Sequence, residues 1–159
     1  MRKEFLIVGG VLVGSVVLMI GLSLLGARAA KPIEDVTTAC VQHTGIGMHV
    51  HPHLKIVIDR TEKVIPADIG VVSLRCMRPL HTHDTTGTIH LEFPVQQDVR
   101  LGQFFQIWQQ PFSRAAILER AAGEKDVLRV AGNGTEVQEL ENLLLHDKDD
   151  VVIEVKKRE

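Results

Sequence analysis

Two kinds of hydrophobic pattern run along this chain. The first is a block: Phe5 to Ala27 reads FLIVGGVLVGSVVLMIGLSLLGA, 23 residues without a charge. About 20 apolar residues of helix cross a bilayer core, so the block predicts an N-terminal transmembrane signal anchor over residues 1–30, meeting lipid through residues 5–27. It is long for a cleaved secretory signal, although Ala27-Arg28-Ala29 is the small-x-small pattern that a signal peptidase reads. Arg2 and Lys3 precede the block and Arg28 and Lys31 follow it, so charge does not settle orientation. The short N-terminal flank favours an inside N-terminus and an extracytoplasmic remainder. Residues 31–39 read as a polar tether.

The second pattern is alternation. From Met48 to Ile58, the residues Met48, Val50, Leu54, Ile56 and Ile58 share one parity, and His49, His51, His53 and Lys55 share the other. Period-2 alternation predicts a half-buried strand. Asp59–Lys63 reads as a turn, and Ile69 to Leu74 as a second apolar run broken by Gly70. Leu80 to Phe93 reads LHTHDTTGTIHLEF, two strand-prone runs about Asp84-Thr85-Thr86-Gly87, a hairpin turn signal. Ile89, Leu91 and Phe93 take its apolar parity, His90 and Glu92 the other. Leu101, Phe104, Phe105 and Trp108 fall at i, i+3, i+4, i+7, which predicts an amphipathic helix from Val99 to Gln110, capped by Asp98 and stopped by Pro111. A second short helix is expected from Ser113 to Ala122, then a strand at Val127–Ala131, a turn at Gly132-Asn133-Gly134 and a strand at Val151–Val155. The fold class expected is therefore α+β: an anchor helix, then residues 40–159 as one antiparallel-sheet domain with an amphipathic helix packed on it.

Composition sharpens this in two places. Removing Arg2, Lys3, Glu4, Arg28 and Lys31 leaves 14 basic and 19 acidic residues, net −5. No basic cluster interleaves with aromatics, so no nucleic-acid partner is expected. The chain holds eight histidines, and seven fall between His43 and His90. Successive side chains of a strand point to opposite faces. His49, His51 and His53 therefore share a face. A two-residue loop at Thr85-Thr86 pairs His83 with Thr88 and His81 with His90, so His81, His83, His90 and Glu92 share another. If the two strands are neighbours, six imidazoles and a carboxylate converge. Imidazole suits copper and zinc, and three His, or two His with a carboxylate, is a common zinc set. The expected metal ligands are His49, His51, His53, His81, His83, His90 and Glu92. His43 and His146 read as loop and surface residues. Cys40 and Cys76 fit a disulfide in an oxidising compartment; the competing reading, from the Cys40-x2-His43 spacing, is metal ligation.

The motifs HVHPHL, IPADIG, HTHDTTGTIHLE and LGQFFQIW, over about residues 40–112, resemble a group of uncharacterised prokaryotic proteins with one N-terminal membrane helix and a small His-rich extracytoplasmic domain. The resemblance implies location and architecture and no activity. The segment VLRVAGNG…LLLHDKDDVVIEV is similar to the last strands of β-grasp domains. His81-x-His83 lacks the following Glu and Gly/Pro motif of a cupin. No Gly-x-Ser-x-Gly, His-Glu-x-x-His, phosphate or dinucleotide motif is present. The function expected is a membrane-anchored, extracytoplasmic metal-binding protein, copper first and zinc second, serving as an accessory, chaperone, sensor or subunit beside a membrane-protein partner. The competing readings are a metal-dependent hydrolase or oxidase, and an interaction subunit whose His face docks a partner without metal.

Overall fold

The computed structural model describes residues 30–123 and 125–157. The expected anchor, residues 5–27, lies outside the described residues. Among them no helix is long and apolar enough to cross a membrane.

The fold class expected above is corrected: the structure is mostly β, with 40% strand and 9% helix. Its largest unit is a five-stranded sheet of β2 (His53–Ile58), β3 (Thr61–Lys63), β11 (Asp126–Gly132), β12 (Thr135–Val137) and β13 (Asp150–Lys157), in the order β12-β11-β13-β2-β3. The sheet is mixed. The hairpins β2–β3 and β11–β12 are antiparallel, but β13 lies between them, antiparallel to β11 and parallel to β2. A strand buried between two neighbours reads as a run of β-branched residues, as Asp150–Lys157 (DVVIEVKK) does. The hairpin β2–β3 closes through Asp59 and Arg60, both at positive φ, where a longer turn was expected.

The second unit is a three-stranded sheet, β1-β7-β6, of β1 (Met48–Val50), β6 (Leu80–His81) and β7 (His90–Phe93). Its register is Met48↔Phe93, His49↔Glu92 and Val50↔Leu91 on one side and Leu80↔Leu91, His81↔His90 on the other. Met48, Val50, Leu80, Leu91 and Phe93 therefore share the inner face, where Leu80, Leu91 and Phe93 have no exposure at all. They join one apolar core with Leu54, Ile56, Val130, Ile153 and Val155 of the larger sheet.

The expected single strand Met48–Ile58 is interrupted at Pro52, which has no N–H to give a ladder. The chain keeps its pairing direction across the break. Ile89 donates to the Pro52 carbonyl (2.9 Å), Leu54 donates to Gly87 (2.9 Å), and His53 bridges Thr88. The strand thereby passes from the small sheet into the large one. Gly87 sits at φ +90°, and a Cβ there would meet the Leu54 carbonyl oxygen at 2.3 Å, so only glycine admits this crossing.

The helix α1 (Leu101–Trp108) is shorter than expected at both ends. Asp98 does not cap it. Arg100 holds the N-cap position, and its N–H donates to the Gln103 side chain at 2.8 Å. Gln109 closes it in the left-handed conformation. Leu101, Phe104 and Phe105 are buried as the stripe requires. The second helix expected from Ser113 to Ala122 is absent. That segment forms three two-residue strands, β8 (Phe112–Ser113), β9 (Ala116–Ile117) and β10 (Arg120–Ala121). A ten-residue helix is marginal in water without strong tertiary packing. Ile117 is instead buried singly, and Phe112 stacks on Phe105 with ring centroids 4.4 Å apart.

Candidate metal centre

The outer face of the small sheet carries the remaining parity. His49 and Glu92 are direct cross-strand partners, as are His81 and His90, and directly opposed residues lie on one face. His51 leaves the end of β1 toward His90, with ring centroids 4.7 Å apart. His83 reaches the cluster by a route that differs from expectation. It does not pair with Thr88, because the ladder stops at His81↔His90. Thr82 is drawn away and buried, its hydroxyl donating to the Pro66 carbonyl (2.8 Å) and accepting from the Ile69 N–H (3.1 Å). The expected two-residue loop is thus opened into a longer one. Asp84 stabilises it by accepting from the Thr86 N–H (2.8 Å) and hydroxyl (2.6 Å), which also holds its carboxyl below the ordinary range.

The nitrogens meet in pairs. His81 Nε2 lies 3.2 Å from His83 Nε2, and His51 Nε2 lies 3.1 Å from His49 Nε2. His90 lies between the pairs, with ring centroids 4.6 Å from His83 and 4.7 Å from His51. Two three-residue groups bring their ligand atoms within 4.8 Å of one another: His49, His51, His90 and His81, His83, His90. Two nitrogens bound to one ion at about 2.0–2.1 Å are roughly 2.9 Å apart at a right angle and roughly 3.4 Å apart at the tetrahedral angle. Both pairs fall inside that interval. The cluster can hold a metal ion.

Hydrogen bonding sets the lone pairs. His81 Nδ1 lies 2.9 Å from the Arg78 carbonyl, which has no proton to give. The ring hydrogen is therefore on Nδ1, and Nε2 presents a lone pair toward His83, the orientation that supporting hydrogen bonds impose on metal-binding imidazoles. His81 is fully buried. Glu92 is 1% exposed and lies beneath the imidazoles. Its Oε1 is 3.2 Å from His49 Nε2 and its Oε2 is 3.1 Å from His43 Nδ1. The second approach lacks hydrogen-bond geometry, so Oε2 is buried without a hydrogen-bond partner among the described residues. A buried carboxylate oxygen left so is costly and calls for positive charge close by.

Not every expected ligand joins. His53 keeps the predicted parity, but both of its nitrogens are engaged elsewhere, with the Thr86 carbonyl (2.8 Å) and with Asp150 (3.2 Å). It ties the long loop to β13 and stands outside both groups. His43, read as a loop residue, is brought to Glu92 and to His83, ring centroids 6.5 Å apart. The signal for it was the Cys40-x2-His43 spacing, since Cys40 is joined to Cys76 by a disulfide. Its neighbour Val41 pairs with Met77, and Arg78 donates to the Thr38 and Ala39 carbonyls. His146 is exposed, 3.1 Å from Asp149.

Two of the rings, His90 and His81, are pushed toward the neutral form, chiefly by burial. Burial first, and then repulsion from His83, His51 and His81, pushes His90 down to about 4 against a weaker pull from Glu92. Burial likewise lowers His81, opposed by the Arg78 carbonyl and Glu92. A depressed His favours the neutral form in the folded state. Between its folded value near 4 and the ordinary 6.5, the unfolded chain binds the extra proton, so stability falls with falling pH. The metal-free protein is therefore expected to lose stability from about pH 6.5 to about pH 4, and His90→Gln to flatten that dependence in urea titrations. Asp35, held near 2 by hydrogen bonds from Thr37 and Thr38, acts in a separate window below its ordinary 3.8. An unchanged slope in His90→Gln would remove His90 as the cause.

No protein-family model, curated protein or solved structure matches this chain.

Proposed function

We propose that this protein is a membrane-anchored, extracytoplasmic metal-binding protein that takes copper first and zinc second, as an accessory, chaperone or sensor beside a membrane-protein partner. The observation that supports it is the pair of Nε2–Nε2 separations, 3.2 and 3.1 Å, flanking His90 above a buried carboxylate. Copper leads because the affinity of a nitrogen site for divalent first-row metals peaks there. The Cys40–Cys76 disulfide suits an oxidising compartment, and the apolar block at residues 5–27 is the proposed bilayer anchor.

The test is titration of the metal-free full-length protein with Cu(II) and Zn(II) against a chromophoric competitor at pH 7.5. Copper is expected to bind more tightly than zinc, with Kd below about 10 µM, or about −7 kcal/mol. No binding by either ion in that range would reject the reading and leave the histidines as a polar face for a protein partner. A second reading, metal-dependent catalysis, is favoured by the three-ligand groups, since three protein ligands leave a position for water.

A further inference from the structure

The arrangement of the two groups carries an inference about how many ions the cluster holds, and it rests on the metal-binding reading above. Each group is closed within itself, and His90 belongs to both. His49 and His51 do not fall into one set with His81 and His83. One ion satisfied by either pair therefore leaves the other pair unused, with its two imidazole nitrogens still facing each other at close to 3 Å. We propose that the cluster is built for two divalent transition-metal ions that share His90, one held by His49 and His51 and the other by His81 and His83.

The chemistry of imidazole permits the sharing. A neutral ring has one lone-pair nitrogen and one N–H, on opposite sides. The first ion takes the lone pair. When the second binds, the N–H bond breaks, its electron pair becomes the second metal–nitrogen bond, and the proton leaves to solvent. Nothing is oxidised or reduced. Deprotonation adds one negative charge between two dications. Glu92 adds another beneath them, through a buried carboxylate whose Oε2 has no hydrogen-bond partner among the described residues. That carboxylate lies 3.1 Å from His43 Nδ1 and 3.2 Å from His49 Nε2, so it places negative charge beside the proposed ions. His51 and His83 are on the accessible side of the cluster and His81 on the buried side, so each pair has at least one ring that can be changed without opening the core.

The experiment is a Cu(II) titration of the metal-free full-length protein, with bound metal counted by elemental analysis and the copper followed by electron paramagnetic resonance. Two ions per chain are expected. The signal of isolated Cu(II) should grow through the first equivalent and diminish through the second, because the spins couple through the shared ring. Protein loaded with one Cu(II) and one Zn(II) should regain the isolated signal. His51→Ala and His83→Ala should each reduce the capacity to one ion, with folding checked by circular dichroism. His90→Ala should abolish the coupling. A capacity of one ion in the wild type, or two ions whose signals simply add, would overturn the shared site while leaving metal binding intact. No metal bound at all would overturn the metal-binding reading itself.

Discussion

Replacing both Cys40 and Cys76 with Ser is expected to lower the unfolding free energy by about 4 kcal/mol, the chain-entropy value for releasing a loop of roughly 37 residues. The two cysteines are 36 apart in sequence, and the loop they close contains β1, β2, β3, β4 (Val71–Ser73) and the Pro52 crossing. Cross-linking restricts the unfolded chain, so the loss belongs chiefly to that state. The bond also anchors the site. It holds the strand β5 (Cys76–Met77), paired with β4 (Val71–Ser73), beside the segment leading to His43. Two residues on, Arg78 supplies the carbonyl that fixes the hydrogen on His81. Metal affinity should therefore weaken together with stability. Urea denaturation of the wild type and the double variant, each with and without reductant, measures the first effect. An unchanged midpoint would mean that β4–β5 and the Arg78 contacts carry the constraint without the bond.

Leu91→Ala is expected to cost about 2–5 kcal/mol, the usual range for a fully buried leucine truncated in a core. Leu91 has no exposure, and its cross-strand partners are Val50 and Leu80. The informative comparison is with His83→Ala, on the opposite side of the same sheet and exposed. That variant should leave the midpoint nearly unmoved and reduce metal binding. Alternation alone expects His81→Ala to behave in the same way, and the structure corrects this. His81 is fully buried with its Nδ1 donating to Arg78, so its removal leaves a cavity and an unpartnered carbonyl and should cost both stability and metal. Calorimetry on the three variants separates the cases. If Leu91→Ala and His83→Ala unfold at the same midpoint, the sheet does not have one core face and one metal-binding face.

Parity carried much of the site. In β7 it separates Leu91 and Phe93 from His90 and Glu92 because a strand's side chains alternate by geometry, and the amphipathic stripe of α1 is legible for the same kind of reason. The pairing of His81 with His90 was also within reach of counting outward from a turn. His83 reaches the face that parity predicts, but not through the two-residue turn that parity counting uses. Its ring arrives through a long loop that buries Thr82, which a two-residue turn does not describe. The segment Ser113–Ala122 shows the opposite failure, where local helix preference lost to the burial of a single isoleucine and the stacking of Phe112 on Phe105.

By itself the sequence determined which side chains face the core and which face away on the strands of the small sheet, since that follows from backbone period. It also determined where α1 must stop, since Pro111 fixes φ and lacks an N–H, whereas the alternation predicts a continuous strand across Pro52 and the break there shows only in the structure. Only the tertiary structure decided what each free face meets. His53 and His51 share a parity, yet His53 gives both nitrogens to the Thr86 carbonyl and Asp150, while His51 turns to His49 and His90. The difference is that β13, nearly a hundred residues away in the chain, inserts parallel to β2 with its pairing beginning at Asp150↔His53. Pairings at that separation depend on loop closure and on the shared core, and no local pattern of residues encodes them.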